Sequence, residues 1–191
     1  MTTVLVTGVG GGGNGEQLVK ALHMAGTPYR IVGTDLTVEA AQQSGANVCL
    51  ALPRANDPNY IDVLLETCEK EKVDVLLPGS EPELRLIAQH AARIREHIKL
   101  LAVNDQTLIE ICSDKFKTAE FLSGNGFVSP RSWLVRATEE LESINSFPLI
   151  VKPTVGGGSQ NVYLIQSQDE LRMICGFLLG YHQSVLVQEY V

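Results

Sequence analysis

The amino-acid sequence predicts an α/β fold, with a doubly wound, parallel, Rossmann-like sheet followed by a small α+β unit. Over the first hundred residues, short β-branched or apolar runs alternate with segments of helical periodicity. Charged residues make up 19% of the 191 residues and hydrophobic residues 45%. Such a composition fits parallel strands that are covered on both faces. After Asn104 the alternation changes, and strands begin to follow one another closely.

The first half of the chain is predicted to contain five strands, and each of the first four is followed by a helix. The strands are expected at residues 3–9, 29–35, 46–52, 73–79 and 98–104. The helices are expected at residues 15–26, 37–44, 57–72 and 81–97. The third helix begins at an Asp-Pro pair and carries apolar residues at helical spacing. Because the connections are short, right-handed crossovers should join the strands into a parallel sheet.

The second half is predicted to be a compact α+β unit. A helical stretch is expected at residues 105–127, with Gly124 and Gly126 marking its end. The further elements expected are strands at residues 132–136, 148–153, 161–166 and 184–190, a helix from Thr138 and a helix at 167–180. We expect neighbouring strands to pair as a meander. The change of pattern places a domain boundary near residue 113, with domains at 1–112 and 113–191.

Composition excludes several classes of protein. The net charge of −7 argues against a nucleic-acid or anionic-membrane partner, so a bound anion would have to meet local donors. No apolar run reaches transmembrane length, which predicts a cytoplasmic protein with no membrane partner. The four cysteines form no CxxC pair and the four histidines are scattered. We therefore expect reduced thiols and no metal site.

A glycine-rich segment, GVGGGGNG, lies between the first strand and the first helix at residues 8–15. It matches the dinucleotide-binding pattern G-x-G-x-x-G in two registers, beginning at Gly8 or at Gly10, and Asp35 ends the second strand. Glycines let the backbone approach a ligand, and the helix terminus offers unpaired N–H groups to an anion. A tight turn that packs against its neighbours would give the same sequence.

Two carboxylates, Glu81 and Glu83, follow the fourth strand in the segment LPGSEPEL. In open α/β sheets, ligands bind at the carboxyl ends of the strands, where these residues lie. They also stand in the first turn of a helix, where acids complement the helix dipole. Both interpretations remain open for each residue.

A second glycine-rich segment, PLIVKPTVGGGSQNV, occupies residues 148–162. It lacks the Gly-Lys-Ser/Thr of a Walker A loop, and a strand rather than a helix follows its glycines. A glycine loop between two strands can still fold over phosphates, since its N–H groups are not obstructed by side chains. Lys152 lies in an apolar strand directly before the loop, where a cation without an anionic partner is costly.

The segments SDKFKTAEFL (113–122), GFVSP (126–130) and VLVQEYV (185–191) accompany this loop. In this order and spacing, they resemble the ATP-grasp superfamily. The first half resembles the domain that precedes ATP-grasp in carbamoyl phosphate synthetase large subunits, through VLVTGVGGGGNGEQLVKAL, IVGTD and DVLLPGSEPEL. The resemblance covers the whole chain.

The resemblance implies two phosphate-contacting lysines, a mobile glycine loop that closes over the triphosphate, and a hinge strand that contacts adenine. The implied ATP-binding residues are Lys115, Lys152, Gly156, Gly157, Gly158, Ser159, Gln188, Glu189 and Val191. For the first domain, the candidates for substrate contacts are Gly10, Gly13, Glu81 and Glu83.

The activity that the resemblance implies is ATP-dependent ligation of a carboxylate (or bicarbonate) to an amine or ammonia through an acyl phosphate. In the family, the Mg²⁺ ligands and the catalytic arginine belong to a subdomain that would follow Val191. We therefore expect a fragment without catalytic or metal-binding residues, with weak ATP binding and a tendency to self-associate. Two alternatives remain: a nicotinamide-dependent oxidoreductase, and a non-catalytic nucleotide-binding module.

Overall fold

The structure, a computed structural model, describes residues 1–157 and 159–191. The chain divides into two compact units, Met1–Ile109 and Glu110–Val191. No helix in the described part of the chain is both long and apolar enough to cross a membrane.

The first unit is a parallel five-stranded sheet with helices between the strands. Its elements are β1 (Thr2–Thr7), α1 (Asn14–Met24), β2 (Tyr29–Asp35), α2 (Val38–Gln42), β3 (Val48–Ala51), α3 (Tyr60–Glu71), β4 (Val75–Leu77), α4 (Glu81–Gln89), α5 (Ala91–Arg95) and β5 (Leu100–Leu101). The helix α6 (Gln106–Ser113) contains the boundary between the two units. The strand order β3-β2-β1-β4-β5 places β1 at the centre, and every pairing is parallel. The predicted doubly wound fold is confirmed.

Alternate residues of the central strand enter two separate cores. Val4 and Val6 belong to one buried cluster with Val19 of α1, while Leu5 belongs to another with Leu64 of α3. Each face of the sheet is therefore covered by helices, as parallel strands require. This burial fixes the carboxyl ends of β1, β2 and β4 at one edge of the sheet.

The second unit is an antiparallel four-stranded sheet. Its elements are α7 (Lys115–Gly124), β6 (Ser132–Val135), a 3₁₀ helix (Thr138–Ser143), β7 (Leu149–Pro153), β8 (Tyr163–Ile165), α8 (Gln168–Leu179) and β9 (Val185–Glu189). The strand order is β6-β9-β7-β8. Of the expected meander, the pairing of β7 with β8 is confirmed, but the pairings of β6 with β7 and of β8 with β9 are wrong, because β9 lies between β6 and β7. Val185, Leu186 and Val187 are all fully buried, as suits a central strand.

Three helical predictions also need correction. The stretch 105–127 is two helices, because Asp114 begins a new one by accepting hydrogen bonds from the amides of Phe116 and Lys117 at 2.8 and 3.1 Å. The stretch 81–97 is broken at His90, whose backbone is not helical. The segment from Thr138 is a 3₁₀ helix of six residues, the tighter turn that proteins use in short pieces.

Candidate functional site

A cleft of about 700 Å³ lies at the carboxyl ends of the strands in the first unit. This is the edge where open parallel sheets bind ligands. Its lining combines the first glycine loop, the segment after β3 and the start of α4. The lining residues are Gly8, Gly10, Gly11, Gly13, Asp35, Leu36, Pro53, Arg54, Ala55, Asn56, Gly79, Ser80, Pro82 and Glu83.

Asp35 holds the first glycine loop in place. Its Oδ2 accepts a hydrogen bond from the amide of Gly10 at 2.8 Å, and its Oδ1 accepts one from the amide of Leu36 at 2.7 Å. Gly11 and Gly12 have φ of +75° and +77°, values that favour glycine. The acid predicted as a possible ribose ligand thus already bonds the backbone through both oxygens.

The structure distinguishes the two registers of the glycine motif. A Cβ on Gly15 would lie 2.2 Å from the carbonyl oxygen of Gly8, whereas a Cβ on Gly13 would meet nothing within 4 Å. Close helix–strand packing is the part played by the third glycine of the motif. Gly15 therefore fits that position, and tight packing accounts for part of the glycine pattern.

The two candidate carboxylates of α4 differ in environment. Glu81 is exposed, whereas Glu83 is 9% exposed and lines the cleft. Glu83 Oε2 accepts hydrogen bonds from Thr7 Oγ1 at 2.9 Å and from Ser80 Oγ at 2.5 Å. Its Oε1 accepts one from the hydroxyl of Tyr60 at 2.9 Å. Burial, followed by the Glu83 carboxylate, raises the pKa of Tyr60, which keeps that hydroxyl protonated.

In the second unit, Lys152 of β7 is half-buried and points at the next strand. Its Nζ donates to Gln188 Oε1 at 2.9 Å, and Gln188 Nε2 donates to Ser132 Oγ at 2.9 Å. The side chains of Lys152, Gln188 and Ser132 therefore form a line across β7, β9 and β6, which lie next to each other in this order in the sheet. Gln188 thus supplies a neutral partner that leaves the charge of Lys152 uncompensated.

Lys115, the first residue of α7, contacts the start of the second glycine loop. Its amide donates to the carbonyl of Thr154 at 2.8 Å, and its Nζ donates to the carbonyl of Gly156 at 2.6 Å. Gly156 has φ of +128° and Ser159 has φ of +55°. Both of these residues and Gly157 are exposed. Gly158, also predicted to bind ATP, lies outside the described residues.

Lys152 and Lys115 form a positive centre beside the glycine loop. Burial, and secondly the neighbouring Lys115 charge, hold the pKa of Lys152 below its ordinary value. The ion pairs found in the described part of the chain involve neither lysine. Two ammonium groups that repel one another and lack an acid partner would be stabilised by an anion. The site therefore fits phosphate chemistry.

The end of β9 is held by hydrogen bonds to its main chain and to the Glu189 side chain. The amide of Glu189 donates to the carbonyl of Arg131 at 2.9 Å, and the amide of Arg131 donates to Glu189 Oε2 at 3.2 Å. The amide of Tyr190 donates to the carbonyl of Pro148 at 3.3 Å, and Val191 is exposed. Of the residues predicted to contact adenine, Gln188 and Glu189 thus lie at the end of β9 and Val191 lies two residues beyond it. In the described part of the chain, no group of three or more His, Cys, Asp or Glu side chains could hold a metal ion.

Sequence reasoning missed several polar residues of these sites. Thr7, Tyr60 and Ser80 surround Glu83, and Ser132 completes the line from Lys152. The signal for Ser80 was present, since Ser80 and Glu83 have the S-x-x-E spacing of a capping box. Tyr60 carried no such signal because it sits within an apolar helical pattern.

Comparison with protein families identifies both parts of the chain. Residues 4–101 match the PylC-like N-terminal domain, and residues 112–191 match the ATP-grasp domain. The chain belongs to the PylC-like family in its first half and to the ATP-grasp family in its second half. ATP and Mg²⁺ are the nucleotide and metal typical of ATP-grasp ligases.

Individual relatives agree with this assignment. The carbamoyl phosphate synthase large chain of Methanospirillum hungatei is 28% identical over 187 residues, 93% of this chain and 17% of the relative. The coenzyme gamma-F420-2:alpha-L-glutamate ligase of Methanococcus maripaludis is 34% identical over 94 residues, 47% of this chain and 32% of the relative. This chain thus spans less than half the length of these curated relatives.

Solved structures show the same fold. The L-amino acid ligase from Bacillus licheniformis matches all of this chain and 44% of its own length, with a TM-score of 0.74 at 20% identity. The N5-carboxyaminoimidazole synthetase from Staphylococcus aureus, complexed with ADP, matches all of this chain and 48% of its own length, with a TM-score of 0.72 at 20% identity.

Proposed function

We propose that this protein acts in ATP-dependent ligation of a small-molecule carboxylate to an amine or ammonia through an acyl phosphate. The observation that carries the proposal is the positive centre of Lys152 and Lys115, without an acid partner in the described residues, beside the second glycine loop. Phosphoryl transfer depends on neutralising and positioning charge, which cations and glycine N–H groups provide. The family assignment supports the same function.

The second unit supplies groups that fit ATP. We propose that Lys115 and Lys152 contact phosphate oxygens and that residues 156–159 cover the triphosphate. Adenine would lie against the end of β9, with contacts from Gln188, Glu189 and Val191. Mg²⁺, when bound, neutralises charge on the β- and γ-phosphates.

The first unit supplies the substrate cleft. Gly10 and Gly13 present their backbone to it, Glu83 lines it, Glu81 stands at the adjoining helix terminus, and Arg54 is an exposed cation in its wall. A small carboxylate with a polar group is the ligand class that we propose. The assignment of 1–112 as the substrate domain and 113–191 as the small ATP-grasp subdomain is part of this proposal.

We also propose a cytoplasmic location and self-association. All four cysteines are free thiols, as expected in a reducing compartment. Met173 and Phe177 lie exposed on α8 and Tyr181 lies exposed just after it, which gives an apolar stripe that self-association could cover. A solved relative, the 2-oxoglutarate carboxylase biotin carboxylase domain of Hydrogenobacter thermophilus, is described as a dimer with MgADP and bicarbonate.

The test is ADP release by the complete gene product with a panel of carboxylates and amines. The proposal requires ADP release that depends on one carboxylate and increases with one amine. Carboxylate-independent ATP binding without turnover would indicate the nucleotide-binding module. Absence of both binding and turnover would exclude the ligase.

A further inference from the structure

The Glu83 carboxylate connects three elements beneath the cleft. Its hydrogen-bond donors come from β1 (Thr7), α3 (Tyr60) and the residue before α4 (Ser80). Thr7 and Tyr60 are fully buried. A carboxylate offers about four acceptor positions, and hydroxyl groups of the protein already take up three of them. Most of the bonding capacity of Glu83 is therefore directed inward.

Residues 80–83 have the sequence of a capping box but do not form one. In a capping box the serine hydroxyl accepts a hydrogen bond from the backbone of the third helical residue. Ser80 caps no amide of α4, and its hydroxyl donates to the Glu83 carboxylate instead. The N-capping pattern that the sequence predicts for α4 is therefore not formed at the wall of the cleft. Exceptions to such local sequence rules tend to occur at functional sites.

The same carboxylate lies next to the backbone of both the first glycine loop and the Gly79–Ser80 segment. A Cβ built on Gly8 would lie 2.8 Å from Glu83 Oε2 and 2.9 Å from Ser80 Cβ. The amide of Gly79 donates to Thr7 Oγ1 at 3.3 Å, and that hydroxyl in turn donates to Glu83. Glu83 therefore lies close against the first glycine loop at Gly8, and hydrogen bonds connect it to the Gly79–Ser80 segment directly and through Thr7.

We infer that Glu83 is a positioning residue, which fixes the glycine loop and the Gly79–Ser80 segment relative to each other and so sets the shape of the cleft. Tyr60 and Thr7 orient its carboxylate from below. The effect of Glu83 on binding of a carboxylate substrate rests on the proposed function, whereas its effect on the shape of the cleft does not.

Amide hydrogen exchange tests this inference without a substrate. Glu83→Gln and Tyr60→Phe are compared with the matched control Glu81→Gln, which changes an exposed carboxylate two residues away. We expect exchange in residues 8–13 and 79–80 to rise at least about tenfold in the first two variants. The Glu81→Gln control should leave exchange in these segments unchanged. Exchange in β7 of the second unit should be the same in all variants, and it serves as the internal reference.

Two results would overturn the inference. One is unchanged exchange in both segments of Glu83→Gln, and the other is an equal rise across β1, β2 and β4, which would indicate a general loss of core stability. If Glu83→Gln does not fold, Tyr60→Phe and Thr7→Val each remove one donor and carry the same test.

A kinetic comparison then links the cleft to the reaction. With the carboxylate found in the panel, Tyr60→Phe should raise its KM at least about threefold and leave the KM for ATP unchanged. Tyr60 does not line the cleft, so an unchanged carboxylate KM in this variant would exclude positioning through Glu83. If no carboxylate stimulates ADP release, the proposed ligase fails, and the exchange experiment still decides the role of Glu83.

Discussion

The proposed ATP site makes a direct prediction about one residue, Lys152. In the complete gene product, Lys152→Ala should weaken ATP affinity at least about tenfold, because a charge-assisted contact contributes roughly 1.5–3 kcal/mol. Equilibrium titration with ATP measures the effect. Lys117→Ala is the control, since Lys117 is exposed on α7. If the Lys152 variant and the unmodified protein bind ATP with equal affinity, Lys152 is a solvated strand lysine with no part in ATP binding.

The same lysine should cost stability when no anion is bound. Its pKa in the folded chain lies below the ordinary value of 10.5, so the unfolded chain holds its proton to higher pH. The cost is therefore fully present below the folded pKa and disappears as pH rises towards 10.5. We expect Lys152→Met to melt at a higher temperature than the unmodified chain at pH 7, and the difference to shrink at higher pH.

The fluorescence of Trp133 allows the melting of Lys152→Met and of the unmodified chain to be compared in the second unit alone. Trp133 is the single tryptophan of the chain and packs against the core of the β6–β9 sheet. Thermal melts followed by its fluorescence report unfolding around Lys152. A lower melting temperature for Lys152→Met at pH 7 would show that the bond to Gln188 outweighs the burial of the charge.

At the scale of elements, the sequence predicted most strands because their apolar runs and turn residues are local signals. The second strand was predicted at residues 29–35 and is found at Tyr29–Asp35. The position of β9 between β6 and β7 could not be predicted in this way, since strand order depends on contacts distant in sequence. The break at Asp114 had a local signal in the Ser-Asp pair before Lys115.

In the candidate site, too, local signals in the sequence reveal some residues, whereas others depend on contacts distant in sequence. Lys152 was conspicuous in sequence because a cation interrupts an apolar run. Gln188 and Ser132, which connect to it, are separated from it in sequence and meet it only through the strand register. Glu83 was found as a carboxylate after β4, but its inward bonding depends on Tyr60 from a different helix.

Close packing at the first glycine loop gives a prediction about stability. In Gly15→Ala, the new Cβ would lie 2.2 Å from the Gly8 carbonyl oxygen, and neither backbone segment can move freely. We expect a loss of roughly 2–3 kcal/mol in the free energy of unfolding of the first unit. Denaturant unfolding followed by circular dichroism measures it.

Gly13→Ala is the matched control for this change, since its Cβ meets nothing within 4 Å. Gly13 precedes α1 with extended backbone, so we expect a cost below about 1 kcal/mol. Similar losses in the two variants would contradict the assignment of Gly15 as the packing glycine.

At the scale of the whole molecule, a net charge of −7 coexists with a proposed anion site. The general field does not attract nucleotides, so affinity has to come from short-range contacts with Lys115, Lys152 and backbone N–H groups. Salt screens distant charges more strongly than partly buried ones. The second unit therefore offers local features that can bind phosphate.

The ligase proposal and the oxidoreductase alternative differ in which of the two glycine loops would bind a nucleotide. We expect no saturable binding of NAD or NADP by the chain in the micromolar range, measured by isothermal titration calorimetry. In the first loop, Asp35 accepts hydrogen bonds from the amides of Gly10 and Leu36, so the protein backbone already uses about half of its acceptor positions. Tight binding of either dinucleotide would contradict the ligase proposal and revive the oxidoreductase, with Asp35 as its ribose ligand.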